Sequence, residues 1–272
     1  MGDGARTQYI DVEGSHIEVA VAGSGPDLLV LHGCRGRLRW GPFLEEMSRS
    51  HRVVMPSHPG FDTSDDLPEW VTSIPDLAAW YGSLLESVGL RNVILVGFDL
   101  GGWLAAEWAA RCGHDLRAVV LVAPLGIRPP QGEIADVLFM SPEGVDRIEV
   151  ADPSAHASAA EPSPLERWTI DRNRETTARL AWQPFLHNPS LPGLLAARMH
   201  VPTQIIWGAR DRLVPLSCGD AYRDAIAGSR LVVMEGVGHL PHIEDSQSLA
   251  AHINRFLASV TPTSSSFAAQ GR

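Results

Sequence analysis

Three side chains in this 272-residue chain are of types that work together on a substrate: Asp99, Asp211 and His239. Asp99 lies in "VILVGFDLGG" (residues 93–102), Asp211 in "IIWGARDRLVP" and His239 in "GVGHLPHIED". In the first stretch an apolar run meets a glycine, an exposed polar residue and two more glycines, the pattern of a strand turning sharply into a helix. A serine at the tip of such a G-x-S-x-G turn serves acyl transfer. An aspartate suits a different reaction. Its carboxylate is ionised at neutral pH and needs no base to prepare it for attack. Attack on an ester carbonyl would give an anhydride that reverts. Attack on a tetrahedral carbon bearing a leaving group gives a stable alkyl ester. A histidine held by a second acid can then direct water at that ester.

Such groups must be positioned by a rigid frame, and the rest of the chain supplies one. Apolar runs at residues 9–12, 16–21, 28–31, 52–55, 93–96, 119–122, 204–207 and 230–234 read as strands. The first two form a hairpin through Glu13-Gly14-Ser15. Several of the others are rich in Val, Ile and Leu at consecutive positions, as in strands buried on both faces. Helical patterns at residues 40–50, 73–88, 100–112, 218–227 and 246–257 alternate with them. Ser73 is a candidate N-cap, and Gly113 and Gly228 are candidate C-terminal stops. The alternation predicts an α/β fold, a mostly parallel eight-stranded sheet covered on both faces. Asp99, Asp211 and His239 then fall just past strand ends, where open α/β sheets place their ligand sites. Residues 126–200 contain no convincing strand and read as a helical lid inserted after the sixth strand, with helices at 165–181 and 191–198. Within it, residues 151–164 ("ADPSAHASAAEPSP") read as a flexible loop, and residues 261–272 read as a flexible tail. The expected core domain is therefore 1–125 with 201–260.

Nucleophile, acid and histidine in that order resemble the α/β-hydrolase triad. "LLVLHGCRG" resembles the His-Gly oxyanion loop of that family, "HPGFDTSD" its loop after the next strand, and "GHLPHIE" its histidine loop. Together they make the chain, from about residue 9 to 257, similar to an α/β-hydrolase. Aspartate at the turn is similar to its epoxide hydrolase and haloalkane dehalogenase branch. The resemblance implies Asp99 as nucleophile, His239 and Asp211 as the water-activating pair, and the backbone N–H groups of Cys34 and Leu100 as the oxyanion hole.

The leaving group is less plainly written. By the same resemblance, epoxide hydrolases use two lid tyrosines, but Tyr9, Tyr81 and Tyr222 all lie outside residues 126–200. Haloalkane dehalogenases carry tryptophan after the nucleophile, where this chain has Leu100, and an asparagine where it has Cys34. The arginine pair of fluoroacetate-type dehalogenases is missing beside Asp99. Trp168, Trp182 and His187 are the alternative donors in the lid, since an indole N–H suits a developing alkoxide or halide. These three, with Phe98 next to the nucleophile, are the expected substrate contacts. An epoxide hydrolase acting on a hydrophobic organic epoxide is the leading expectation. A haloalkane dehalogenase is one alternative. An esterase or lactonase using Asp99 as a base on water is another, and a ligand-binding or isomerising protein a third.

Other polar residues have plainer readings. His32 is expected beneath the oxyanion loop, His58 and His242 in solvated loops at the mouth, Trp103 and Trp108 in packing, and Asp62 and Asp65 as turn caps. With 44% hydrophobic and 20% charged residues, the composition is that of a globular protein. A formal charge of −10 disfavours nucleic-acid or anionic-membrane partners. No run approaches the about 18 apolar residues of a membrane span, and no apolar leader is evident, so a cytoplasmic location is expected. Cys34, Cys112 and Cys218 lack disulfide or zinc spacing, and neither metal nor cofactor is expected. Monomer and homodimer remain equally open.

Overall fold

The computed structural model describes residues 4–156 and 161–260, so the expected tail at 261–272 and residues 157–160 of the expected loop lie outside the described residues. Among these residues eight strands form one sheet: β1 (Arg6–Val12), β2 (Ser15–Ala22), β3 (Asp27–Leu31), β4 (Arg52–Pro56), β5 (Val93–Phe98), β6 (Leu116–Val122), β7 (Thr203–Gly208) and β8 (Arg230–Met234). Their spatial order is β1-β2-β4-β3-β5-β6-β7-β8. The β1/β2 hairpin and the β2/β4 pair are antiparallel. Every later pair is parallel, as buried Val/Ile/Leu runs require.

Helices cover both faces. On one face α2 (Ile74–Val88), α3 (Asp99–Cys112) and α8 (Leu216–Ala225) bury Trp80, Trp103, Trp108 and Tyr222 with Leu29, Leu95 and Leu121. On the other, α1 (Pro42–Ser48) and α10 (Ser246–Ser259) enclose Val30, Val96, Val120 and Ile253. Removing this apolar surface from water is the main force holding the layers together. Local signals set the helix limits. The Ser73 hydroxyl accepts the Asp76 N–H at the start of α2, and Gly89 closes it at φ 67°. α1 begins at Pro42, not at Trp40, because proline is preorganised for the first helical position.

Between β6 and β7, the described residues form four helices, α4 (Pro142–Glu149), α5 (Pro153–His156), α6 (Pro164–Ala181) and α7 (Leu191–Arg198). The only extended pairing among the described residues of this stretch is an isolated bridge between Gly126 and His187. α4 departs from the sequence reading, which left residues 142–149 without an element. Its signal is the pair Ser141-Pro142, in which the serine hydroxyl caps the Gly144 N–H at 3.1 Å. The insertion is tied to α3 through Glu107, a fully buried carboxylate that accepts from Asn188 Nδ2 at 2.6 Å and from Arg111 Nε at 3.0 Å. Among the described residues no helix is long and apolar enough to cross a membrane.

Candidate active site

β5 runs directly into α3, and Asp99 is the hinge between them. Its φ of 51° is left-handed, a conformation that costs a non-glycine residue on the order of 1–3 kcal/mol and persists only when its surroundings enforce it. Here two close approaches enforce it. A Cβ on Gly97 would stand 2.3 Å from the Gly101 carbonyl oxygen, and one on Gly101 would stand 2.4 Å from that of His32. Strand, helix and oxyanion loop therefore meet across glycine hydrogens alone, and the Asp99 side chain is turned out at the head of α3. The carboxylate also complements the positive end of the helix dipole.

The two oxygens of Asp99 have different surroundings. Oδ2 accepts the Cys34 backbone N–H at 2.7 Å. Oδ1 is buried, has no hydrogen-bond partner among the described residues, and faces His239 Nε2 at 3.6 Å. Nε2 is likewise buried and unpartnered among them. Behind it, His239 Nδ1 meets Asp211 Oδ2 at 2.8 Å. The other Asp211 oxygen accepts the N–H groups of Leu213 and Val214 at 2.9 Å each. Asp211 is thus an acceptor fixed from both sides, and it holds the imidazole with Nε2 aimed at Asp99. Leu100 follows at the N-terminus of α3, where backbone N–H groups lack intrahelical partners; no hydrogen bond joins its N–H to Asp99 among the described residues.

Charge is distributed unequally over these groups. Burial opposes a charged His239, but the Asp211 carboxylate, with Asp99 behind it, outweighs burial and holds the imidazole well above its ordinary value. Burial also pushes Asp99 up, yet His239 and the Cys34 N–H overcome it and keep the carboxyl below its ordinary range. Each charge supports the other, the Asp99 carboxylate favouring the protonated imidazole and the imidazole favouring the carboxylate. The Cys34 thiol is pushed well above its ordinary value by burial and by the Asp99 charge, so it stays protonated and is a poor nucleophile.

The oxyanion loop is braced from below and above. Below it, His32 and His58 stack with centroids 3.7 Å apart, and His32 Nε2 accepts the His58 backbone N–H at 2.9 Å. His58 also bonds the Tyr81 hydroxyl. This corrects the expected solvated position of His58: the loop after β4 folds beneath the oxyanion loop, and burial holds its imidazole neutral. His242 is similarly not a free loop residue, packing edge-on against Phe98 at 5.0 Å. Above the loop, Asn173 of α6 donates to the Arg35 carbonyl at 2.9 Å and accepts the Asp62 N–H at 2.8 Å. Asp62 in turn accepts the Arg37 N–H at 2.9 Å, the capping role expected for it. Gly33 is the tight point of this loop, since a Cβ there would lie 2.5 Å from Asp99 Oδ2. Gly33→Ala is accordingly expected to push the carboxylate off the Cys34 N–H. Activity should fall about 100-fold while the melting temperature changes little, measured by kinetics and thermal denaturation on one preparation.

The expected substrate contacts do not gather here. Phe98 is 4% exposed and lies in the core on the α1 side, edge-on to Phe43 at 5.6 Å. Trp168 is on the outer face of α6, 48% exposed and capped by the Arg172 guanidinium at 5.3 Å. Trp182 is 43% exposed in a surface aromatic group with Phe139 and Phe185. His187 is partly buried with Nδ1 against the Phe185 carbonyl, in the segment that Glu107 ties to α3. For Trp168 the reason is the orientation of α6, whose inward face is Asn173, Thr176, Thr177 and Leu180. One residue that sequence reasoning passed over is drawn in instead. Glu149, at the end of α4, is 5% exposed, accepts Arg35 Nε at 2.8 Å, and its backbone carbonyl accepts the His239 N–H at 2.6 Å. Burial raises its carboxyl above the ordinary value despite the opposing charges of Arg35 and His239. Arg35 itself is shared with Asp146. Among the described residues no three His, Cys, Asp or Glu side chains gather as metal ligands.

Known proteins share this frame. The chain is 28% identical to a pimeloyl-[acyl-carrier protein] methyl ester esterase of Methylococcus capsulatus over 89% of its own length and 98% of the relative's. It is 24% identical to the 2-hydroxy-6-oxo-2,4-heptadienoate hydrolase of Pseudomonas putida, over 95% of each chain. Among solved structures, a bacterial membrane phospholipase A superposes with a TM-score of 0.80 at 23% identity, over 94% of this chain and 87% of that one. Residues 28–252 match the Alpha/beta hydrolase family, a span that holds Cys34, Asp99, Asp211 and His239. The chain therefore belongs to the α/β-hydrolase family and has its fold, an eight-stranded, mostly parallel sheet with helices on both faces.

Proposed function

We propose that this α/β-hydrolase uses Asp99 as a covalent nucleophile at a tetrahedral carbon, and that its substrate is a neutral, hydrophobic organic epoxide. The observation that carries this reading is the division of labour between the Asp99 oxygens. Oδ2 rests on the Cys34 N–H, while Oδ1 is unpartnered among the described residues and 3.6 Å from His239 Nε2. Buried polar atoms are normally satisfied, so two facing orphans mark where a reacting molecule belongs. Oδ1 attacks the epoxide carbon, the carbon–oxygen bond breaks, and Asp99 becomes an ester. Water at Nε2 then attacks the Asp99 carbonyl carbon, His239 takes its proton, and the charge developing on Oδ2 meets the Cys34 N–H. The diol leaves with the former Asp99 oxygen.

Substrate charge follows from the same geometry. The basic groups of the site are already matched, Arg35 by Glu149 and Asp146 and His239 by Asp211 and Asp99. An anionic substrate would meet Asp99 and Glu149 without a free positive partner, so a neutral one is favoured.

Single turnover in isotopically labelled water tests the covalent step. The label is expected in the Asp99 carboxylate and not in the first product. Label appearing directly in product, with none in the enzyme, would instead mean that Asp99 acts as a base on water. That outcome fits the ester substrate named in the relative from Methylococcus capsulatus.

A further inference from the structure

Asp99 Oδ1 and His239 Nε2 are both buried, so a substrate reaches them only after a covering element moves. The end of α4 lies directly against the histidine loop. A Cβ on Gly238 would stand 2.7 Å from the Glu149 carbonyl oxygen and equally close to the Ala151 nitrogen. Yet Glu149 is the one buried residue among the eight of α4. A helix that removes so little apolar surface from water depends on its polar bonds. Those bonds run to all three loops of the site. Arg35 of the oxyanion loop pairs with Glu149 and Asp146. Arg212, next to Asp211, donates from Nη2 to the carbonyls of Arg147 and Val150 at 2.6 Å each. The histidine loop gives the His239 N–H to the Glu149 carbonyl at 2.6 Å.

We infer that Glu244 is a positioning residue that makes the aim of His239 depend on the seating of α4, an assignment that deepens the covalent reading above and rests on it for its kinetic test. Glu244 ends the short helix α9 (Pro241–Glu244) that follows the histidine loop. Both of its carboxylate oxygens accept the Gly238 N–H at 3.0 Å, and Oε1 also accepts the Leu240 N–H at 3.3 Å. The residues on either side of His239 therefore hang from one carboxylate. Oε2 reaches the other way, to the Ala151 N–H just past α4, at 2.7 Å. One side chain thus grips both the flanks of His239 and the end of the covering helix. A carboxylate suits this place, because it is an acceptor only, has lone pairs for several donors, and strengthens each bond by its charge.

With α4 seated, the N–H groups of Gly238, His239 and Leu240 all have acceptors, supplied by Glu244 and by the Glu149 carbonyl. Lifting α4 breaks two bonds together. The His239 N–H loses the Glu149 carbonyl, and Glu244 loses the Ala151 N–H. The loop is then free to turn, and Nε2 is no longer fixed 3.6 Å from Asp99 Oδ1. The hold of Asp99 on the Cys34 N–H is untouched. Water activation is thereby confined to the closed site, while the nucleophile stays ready in either state.

Two substitutions break the link from opposite ends. Glu244→Gln leaves one acceptor oxygen and puts an amide NH2 where the other stood, so either the loop or Ala151 loses its partner. Ala151→Pro removes the N–H at the α4 end. Val150 before it already has φ −109° and ψ 150°, the region that a residue preceding proline adopts. Rapid-quench mass spectrometry with styrene oxide and hexene oxide follows formation and decay of the Asp99 ester, with thermal denaturation on the same preparations. Each variant is expected to slow ester decay roughly 10- to 100-fold while ester formation stays within about twofold. The double variant should be no slower than the slower single one, because both act through one bond. Losses that multiply in the double variant, unchanged ester decay, or equal slowing of both steps in proportion to lost thermal stability would overturn the assignment. The His239 ring resonances in an NMR spectrum of the free enzyme give a second readout that needs no ester. Both substitutions should move them in the same direction, and unmoved resonances would sink the role of Glu244. Absence of any Asp99 adduct in the wild type would overturn the covalent reading alone, and the ring resonances then decide the assignment of Glu244.

Discussion

His239→Gln is expected to consume one equivalent of epoxide and then stop. The first step takes its nucleophile from the Asp99 carboxylate, whose hold on the Cys34 N–H at 2.7 Å does not depend on the imidazole. The second step needs a base at Nε2, and glutamine offers none. Steady-state turnover should therefore fall by about 1,000-fold, within the range that a positioned base contributes. The protein should meanwhile gain the mass of one substrate on the peptide containing Asp99. Rapid-quench mass spectrometry reads both quantities. A variant that loses turnover without gaining mass would show that His239 serves the first step, and the proposed order of events would be wrong. Asp211 makes a milder version of the same experiment. Its role is to fix the ring at 2.8 Å, so Asp211→Asn should slow ester hydrolysis while leaving ester formation intact.

The meeting of Asp99, Asp211 and His239 was legible in the sequence because each stands just past a strand whose ends are marked. Gly97 and Gly101 mark the first turn, Gly208 and Pro215 bracket Asp211, and Gly236 and Gly238 precede His239. Parallel strands must deliver their C-terminal ends to one edge, so residues far apart in the chain had to converge. The strands were equally readable, since Val93–Phe98 is buried at every position and shows it as an unbroken apolar run. What could not be read is which face of a helix turns inward when that face is polar. α6 buries Asn173, Thr176 and Thr177 and leaves Trp168 exposed, the reverse of what hydrophobic periodicity suggests. The polar residues win because they satisfy backbone groups of two loops, Arg35 and Asp62 through Asn173 and Gly60 through Thr176. Glu149 was hidden for a related reason. A glutamate at the end of a short, charged helix reads as solvated, and its burial depends on Arg35, 114 positions away. His58 likewise owes its burial to His32 and Tyr81, partners that no local pattern announces.

Asp99→Asn is expected to carry the largest effect on catalysis and to expose how the two steps are timed. Asparagine keeps the shape, can accept the Cys34 N–H, and tolerates the left-handed φ of 51° that position 99 imposes. Only the charge and the nucleophile are lost, so turnover should drop ~10,000-fold or more with the fold intact. The same substitution imitates the electrostatics of the alkyl-enzyme, in which Asp99 is a neutral ester. His239 is held above its ordinary 6.5 by Asp211 and Asp99 acting against burial. With position 99 neutral, one of those two supports is gone, and the imidazole should titrate at lower pH in an NMR pH series. Stability should shift in step. A folded value above the unfolded one gives stabilisation that is complete below pH 6.5 and is lost as pH rises through the folded value. The Asp99→Asn variant should lose its share of that stabilisation, so its thermal stability should depend less on pH across this window than that of the wild type. An unmoved His239 titration would mean that Asp99 does not hold the proton, and base activation would then need another trigger. If the titration moves as expected, forming the ester is itself what frees the base, and water is activated only once there is an ester to hydrolyse.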